Sequence, residues 1–150
     1  MRGHTGGDLS LGHGFAVSTS TKQKLNTRSS TESKLVGVDD MMSSILWTHY
    51  FLLSQGYDVT DNLVYQDNQS AILLKKNAKA SSGKRTKHID VRYSFVKDQV
   101  DKGNVQIKWC PTKEMIADFF TKLLQGSLCK WFRDVIMGVI PLPEYKCSVQ

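Results

Sequence analysis

The sequence of 150 residues predicts an α/β domain in which helices pack against a mixed β-sheet. Its apolar residues follow two patterns, the alternation typical of strands and the three-or-four spacing typical of helices. These patterns give the order strand, strand, helix, strand, helix, helix, strand, helix, helix, which is a hairpin followed by alternating elements. Hydrophobic residues make up 40% and charged residues 23%, a composition typical of folded chains that excludes wholesale disorder.

The first predicted elements are a hairpin and a long helix. Residues 8–11 alternate between polar and apolar side chains, residues 12–14 contain two glycines that suit a turn, and residues 15–20 form the second strand. The helix begins at residues 29–31, whose hydroxyls can cap free backbone N–H groups, and it ends at Gly56. Its buried face is predicted from apolar residues at helical spacing: Leu35, Val38, Met42, Ile45, Leu46, Leu52 and Leu53.

The second half of the chain alternates between short strands and amphipathic helices. Pro111 ends the last strand, because proline cannot donate a ladder hydrogen bond. Trp47, Trp109 and Trp131 are predicted to lie in the core. The predicted elements are, in order, a strand at 63–66, a helix at 68–76, a polar loop at 78–85, a helix at 89–100, a strand at 105–109, and helices at 115–123 and 128–140.

The positive charge of the chain is concentrated in one segment. The sequence has 20 Lys and Arg against 14 Asp and Glu, a net charge of +6. Residues 75–97 contain one acid, Asp90, and eight basic residues: Lys75, Lys76, Lys79, Lys84, Arg85, Lys87, Arg92 and Lys97. Such a segment is typical of a polyanion-binding protein, and equally of a solvated loop kept soluble by its charge. Composition leaves both interpretations open.

The sequence carries no sign of membrane insertion or export. No run approaches the roughly 20 apolar residues of a membrane helix, and the first residues lack the apolar core of a signal peptide. We therefore expect a cytoplasmic or nuclear protein that is neither secreted nor bound to a membrane.

Two aspartates are candidates for metal chemistry. Asp67 directly follows a predicted strand, at the end where open α/β sheets place their active sites, and Asp118 lies in a later predicted helix. Carboxylates converging from such elements are the oxygen ligands that Mg²⁺ prefers. The alternative is structural, with Asp67 as the N-cap of the next helix and Asp118 as an exposed helix charge.

Four sequence strings occur in a characteristic order. Residues 29–35, 65–71, 84–93 and 117–122 read SSTESKL, YQDNQSA, KRTKHIDVRY and ADFFTK. Together, with their matching intervals, they closely resemble the ribonuclease H domain at the end of copia-type retrotransposon Pol polyproteins. The resemblance covers about residues 3–134, and it implies a ribonuclease-H-like fold over residues 1–140 followed by a C-terminal tail at 141–150.

The resemblance also implies an activity and its residues. The family cleaves the RNA strand of an RNA–DNA hybrid with two Mg²⁺ ions held by four acidic residues, of which Asp67 and Asp118 match two. It further implies a reverse transcriptase region in the parent polyprotein. Contacts to the hybrid are expected from hydroxyl-bearing and basic side chains: Ser29, Ser30, Thr31, Lys84, Arg85, Lys87 and His88. The three hydroxyl-bearing residues could instead only cap the helix, and His88 could instead be structural.

The remaining two acidic positions depart from the family pattern. The family's first aspartate lies on a central strand upstream of the hairpin, so that we expect this strand to be missing and its neighbours to expose unpaired edges. The family's glutamate corresponds to Lys34, whose ammonium we expect to pair with Asp67 or Asp118 and partly replace a metal. Cleavage is therefore expected to be impaired. A non-catalytic nucleic-acid-binding module and an inert retroelement-derived protein are the alternatives.

Overall fold

The structure is a computed structural model that describes residues 2–27, 29–67 and 87–143, with only the backbone for Arg2, Lys87 and His88. This part of the chain is α/β, as predicted. The predicted helix at 68–76 and the basic loop at 78–85 lie outside it. The elements are β1 (Arg2–Leu9), β2 (Val17–Asn26), α1 (Ser30–Ser54), β3 (Leu63–Gln66), α2 (Lys87–Asp101), β4 (Gln106–Trp109), two 3-10 helices (Thr112–Glu114 and Ile116–Phe120) and α3 (Gly126–Ile136).

The four described strands form two separate pairs. β1 and β2 make the predicted antiparallel hairpin, with Leu9 opposite Val17 beside the connecting loop. β3 and β4 pair in parallel, with Leu63 opposite Gln106. The prediction of one mixed sheet is therefore wrong for this structure, since no described strand joins β1 to β3. In the described part of the chain, β1 and β3 are therefore edge strands of separate pairs.

Glycines allow β1 to be covered closely on both faces. A Cβ on Gly7 would lie 2.6 Å from Cγ of Met41 on α1, and a Cβ on Gly6 would lie 2.5 Å from Cγ2 of Thr121, beyond the second 3-10 helix. Successive residues of a strand point to opposite faces. β1 therefore runs between α1 and the second 3-10 helix, and it is longer than the sequence predicted because tertiary contacts outweigh its weak strand propensity.

Helix α1 begins and ends as predicted. The Ser29 hydroxyl accepts a 3.1 Å hydrogen bond from the Glu32 N–H, which is the geometry of an N-cap. At the other end Gly56 has φ +86°, a left-handed conformation that stops the helix. Two clusters of buried side chains form the core. The first cluster joins α1, α2 and the strands through Met41, Met42, Ile45, Val96 and Val105. The second joins α3 to the second 3-10 helix through Ile116, Phe132 and Val135.

Three predictions about the second half and the tryptophans need correction. In place of the predicted helix at 115–123 the structure has a short 3-10 helix at Ile116–Phe120, which follows an extended Met115 (ψ 97°). Helix α3 ends at Ile136, before a left-handed Gly138. Trp47 is 66% exposed and stacks on Phe51, so it lies outside the core.

Trp109 is also outside the core, at 39% exposed, whereas Trp131 packs against the second cluster. Trp109 is the last residue of β4 and belongs to neither core cluster. Within residues 2–27, 29–67 and 87–143, no helix has the length and apolar character needed to cross a membrane.

Candidate functional site

A groove of about 520 Å³ lies between the two strand pairs. Its two rims are residues 4–10, which include most of β1, and residues 61–67, which include β3. Asp67 and Asp118 both line this groove, together with Lys34 from the first turns of α1. The structure thus brings both sequence-predicted carboxylates to one site, from the end of β3 and from the second 3-10 helix.

Asp67 is held at the end of β3 by an ion pair with helix α1. Its side chain is only 8% exposed, and its Oδ1 atom accepts a hydrogen bond from Nζ of Lys34. Gln66 supports the same junction, because its Nε2 donates to the Lys34 carbonyl oxygen at 3.4 Å. The ion pair that the sequence predicted between Lys34 and an aspartate is therefore present, and its partner is Asp67.

Asp118 is paired locally. Its side chain is 14% exposed, and its Oδ2 atom lies 2.6 Å from Nζ of Lys122, four residues further along the chain. The backbone N–H groups of Thr121 and Lys122 donate to its carbonyl oxygen, which fixes the end of the second 3-10 helix. Asp67 and Asp118 thus each have a lysine ammonium as counter-charge.

The groove residues, as they are arranged, do not fit a magnesium site. Mg²⁺ requires near-octahedral oxygen coordination, and both carboxylates already accept hydrogen bonds from lysines. An ammonium has three donors and no acceptor, so Lys34 cannot be a ligand. Among the described residues there is no group of three or more His, Cys, Asp or Glu side chains that could hold a metal ion.

Asp8 is a groove residue that the sequence analysis missed. It lies on β1, where burial raises the pKa of its carboxyl group from 3.8 to about 6. Its Oδ2 atom is buried and has no hydrogen-bond partner in the described part of the chain. Alternation of polar and apolar residues places an aspartate at this position on the solvent side, so the sequence carries no signal of this burial.

Five of the seven residues predicted to contact nucleic acid lie in the part of the chain that the structure describes. Ser29 and Ser30 are exposed at the start of α1, and Ser29 caps the helix, as its structural alternative required. Thr31 is half-buried in the first turn. Lys87 and His88 are the first two residues of α2, in backbone only. Two further predicted contacts lie outside the described residues: Lys84 and Arg85.

One charge of the basic segment is used inside the fold. Arg92 donates from Nη1 to Oδ2 of Asp39 at 2.5 Å and to Oδ1 of Asp40 at 2.8 Å, which ties α2 to α1. Burial raises the pKa of Asp39 even though the Arg92 guanidinium acts to lower it. Arg92 is therefore a structural residue, and its charge must be subtracted from any surface that attracts phosphate.

The chain is similar to parts of three much longer plant proteins. It is 36% identical over 121 residues, 78% of this chain, to the retrovirus-related Pol polyprotein from transposon TNT 1-94 of Nicotiana tabacum. It is 34% identical over 134 residues, 89% of this chain, to the Pol polyproteins from transposons RE1 and RE2 of Arabidopsis thaliana. The chain is a distant homologue of copia-type retrotransposon Pol polyproteins.

The homologous region is a small part of each Pol polyprotein. The alignment spans 9% of the length of each of the three relatives. No protein-family model matches the chain, and no solved structure matches it. The relationship therefore establishes descent from a retrotransposon Pol polyprotein.

Proposed function

We propose that the chain is a ribonuclease H region of copia-type Pol that binds RNA–DNA hybrid but cleaves it poorly. The Pol homology covers most of the chain, and the four ordered sequence strings all fall in it. The observation that carries the proposal is the ion pair between Lys34 and Asp67. This ion pair supports the proposed impairment, because the Lys34 ammonium occupies a carboxylate that would have to be free to ligate a metal in metal-dependent phosphodiester cleavage.

Nucleic-acid binding is supported by the charge distribution. The whole chain carries +6, and residues 75–97 keep an excess of positive charge after Arg92 is assigned to its two aspartates. Contacts between lysine or arginine and phosphate give affinity that is independent of sequence and falls steeply with salt. Hybrid is the expected ligand because the hydroxyl-bearing residues 29–31 lie one helical turn from Lys34, which lines the groove.

The test is a titration of a labelled RNA–DNA hybrid with the protein at two salt concentrations, followed by incubation with Mg²⁺. We expect binding that weakens about tenfold or more between 50 and 200 mM salt, with no cleavage above that of hybrid alone. Cleavage abolished by Asp67→Asn would overturn the proposed impairment. Absence of binding at the lower salt concentration would leave the inert retroelement-derived protein.

A matched pair of variants identifies the binding surface. Replacing Lys84, Arg85 and Lys87 by alanine is expected to weaken hybrid binding and to reduce its salt dependence, because fewer counterions are released. The control replaces three basic residues outside this segment, which changes the net charge equally: Lys22, Lys24 and Lys113. Equal losses in the two variants would mean that only net charge matters.

A further inference from the structure

The second half of helix α1 carries a row of exposed aromatic residues. Trp47, Tyr50 and Phe51 are 66%, 54% and 46% exposed. Ser54, the last residue of the helix, is exposed as well. Spacings of three and four residues place these four side chains on one side of the helix, which we call the aromatic face. Ile45, on the other side of the helix, is buried in the first core cluster.

The aromatic face is already ordered in the single chain. The rings of Trp47 and Phe51 are stacked, with centroids 5.1 Å apart and planes inclined by 6°. The Tyr50 hydroxyl accepts a 3.3 Å hydrogen bond from Nδ2 of Asn104, at the end of α2. Side chains that are fixed in this way lose little conformational freedom when another surface covers them, which lowers the cost of association.

The aromatic face lies in an uncharged part of the chain. Residues 41–57 contain no Lys, Arg, Asp or Glu, whereas the whole chain carries +6. In a two-fold symmetric contact a surface meets its own copy, so that a charge near the axis faces a like charge. Like charges opposed across an interface are unfavourable. Two copies of the chain can therefore meet at this face without bringing like charges together.

Two copies of the aromatic face also match in size when their helices are antiparallel. If the two-fold axis passes between residues 50 and 51, Tyr50 of one copy lies opposite Phe51 of the other. Trp47 then lies opposite Ser54, so that the largest side chain of the face meets the smallest. The face is thus complementary to itself, as an interface between identical copies requires.

The exposed area suits a weak dimer. Leu53 and Tyr57 extend the aromatic face and are 43% and 65% exposed. At about 150–250 Å² for an aromatic side chain, the five large apolar residues expose on the order of 500 Å². Burial of this area on both copies gives about 1,000 Å², which is the lower limit for a specific interface and typical of reversible association.

The sequence outside the described residues is a poorer match for the aromatic face than a second copy. Residues 68–86 contain five basic residues and no aromatic residue, and residues 144–150 include Glu144 and Lys146. Docking of either segment would bring charged side chains to an uncharged surface, where the loss of their hydration is costly. A second copy brings aromatic side chains and no charge.

We propose that the aromatic face is a homodimer interface, in which the second halves of two α1 helices pack antiparallel about a two-fold axis between residues 50 and 51. Burial of the aromatic side chains drives the association. None of the four residues of the face lines the groove that holds Asp67 and Asp118, so the dimer leaves this groove open. The interaction does not depend on nucleic-acid binding.

The experiment is sedimentation velocity of the whole chain, free of nucleic acid, from about 1 to 200 µM at two salt concentrations. We expect a reversible monomer–dimer equilibrium that strengthens with salt, because screening weakens the repulsion between two copies that each carry +6. A monomer at every concentration, as a segment of the same chain covering the face would give, would overturn the proposal. Association that weakens with salt, or that continues beyond the dimer, would overturn it as well.

A matched pair of variants tests the surface. Trp47→Ser should weaken dimerisation about tenfold or more, because truncation of a large aromatic side chain in an interface is among the most costly substitutions. Leu123→Ser is the control, since it removes a fully exposed apolar side chain outside the aromatic face, and it should leave dimerisation unchanged. Equal effects of the two substitutions would contradict the assignment of the interface.

A second pair of variants tests the antiparallel geometry. Tyr50→Lys and Phe51→Glu should each be folded by circular dichroism and monomeric when alone. Mixed together they should form a dimer of one copy of each, because the antiparallel arrangement brings the introduced lysine opposite the introduced glutamate. Absence of the mixed dimer would overturn the proposed packing of the two helices.

Discussion

Lys34 decides the electrostatics of the groove at the scale of single residues. Its side chain is 36% exposed, yet its ammonium reaches the nearly buried carboxylate of Asp67. A partly exposed pair of this kind adds little stability by itself, but removal of the lysine leaves a buried acceptor uncompensated. The pair therefore matters more for which cations the groove can hold than for the stability of the fold.

Lys34→Glu should create affinity for divalent cations, because it exchanges a donor for a carboxylate beside Asp67, in the groove that Asp118 also lines. We expect Mg²⁺ binding by calorimetry in the variant and none in the wild type at the same concentration. Without metal the variant should lose about 1–2 kcal/mol of unfolding free energy from carboxylate repulsion. Lys34→Gln is the control, since it removes the ammonium without adding a charge. Unchanged Mg²⁺ binding in Lys34→Glu would contradict the role given to Lys34.

Asp8 should make the protein gain stability relative to its amide variant as the pH falls into the mildly acidic range. Because the pKa is raised from 3.8 to about 6 in the folded state, the folded state binds the extra proton between these values. The penalty for burying the charge is present above pH 6 and is lost as the pH falls towards 4. The unfolding free energy of wild type relative to Asp8→Asn should thus rise by on the order of 2–3 kcal/mol between pH 7 and pH 4. Denaturant titrations at several pH values provide the measurement. If the difference in unfolding free energy between wild type and Asp8→Asn did not change with pH, the raised pKa of Asp8 would be refuted.

At the scale of elements, the close covering of β1 depends on its glycines. A Cβ on Gly6 would lie 2.9 Å from the carbonyl oxygen of Ala117, a backbone atom that cannot move aside cheaply. Gly37 on α1 differs, because the nearest atom to an added Cβ is 3.7 Å away, on Thr5. Both glycines lie at the contact between β1 and its neighbours, and only Gly6 is needed for steric reasons.

Gly6→Ala should therefore destabilise the protein by about 1–3 kcal/mol through overpacking. Gly37→Ala should be neutral or stabilising by up to about 1 kcal/mol, since alanine favours the helix and fits the space. Thermal and denaturant unfolding of the two variants provide the comparison. Similar losses in both would show that the covering of β1 is looser than the structure indicates.

The elements also show what the sequence could and could not predict. Helix α1 was predicted at both ends because its signals are local, a capping hydroxyl at Ser29 and a left-handed Gly56. The residues at 115–123 were predicted as a helix because their spacing is helical, but the extended conformation of Met115 is set by tertiary packing. Asp67 could be singled out as a candidate site residue because it directly follows a strand, which is a local signal. The burial of Asp8 could not be predicted, because it depends on neighbours distant in sequence.

The molecule as a whole is organised around two core clusters and two strand pairs. α1 packs on β1 and on α2, and it contributes Met41, Met42 and Ile45 to the first cluster. The second cluster is built on Phe132 and Val135 of α3. Since no strand pairing joins the two strand pairs in the described structure, their cohesion rests on side-chain packing. Such a molecule is expected to open locally in parts.

Phe132→Ala should loosen one part selectively. Phe132 is 1% exposed, and deletion of so buried an aromatic ring costs about 3–5 kcal/mol. We expect amide exchange to accelerate in α3 and the second 3-10 helix while the β3–β4 pair keeps its protection. Acceleration of equal size in every element would show a single cooperative unit instead.

The ion pair of Lys34 has a consequence at the level of the gene. Lysine and glutamate codons differ only in their first base, so one substitution converts this position to a carboxylate. That step would add a carboxylate to a groove that Asp67 and Asp118 already line, and a bound cation would relieve the repulsion. A copy carrying it would then depend on divalent metal for its stability, so that a single transition in the coding sequence would link folding of this region to the ionic conditions of the cell.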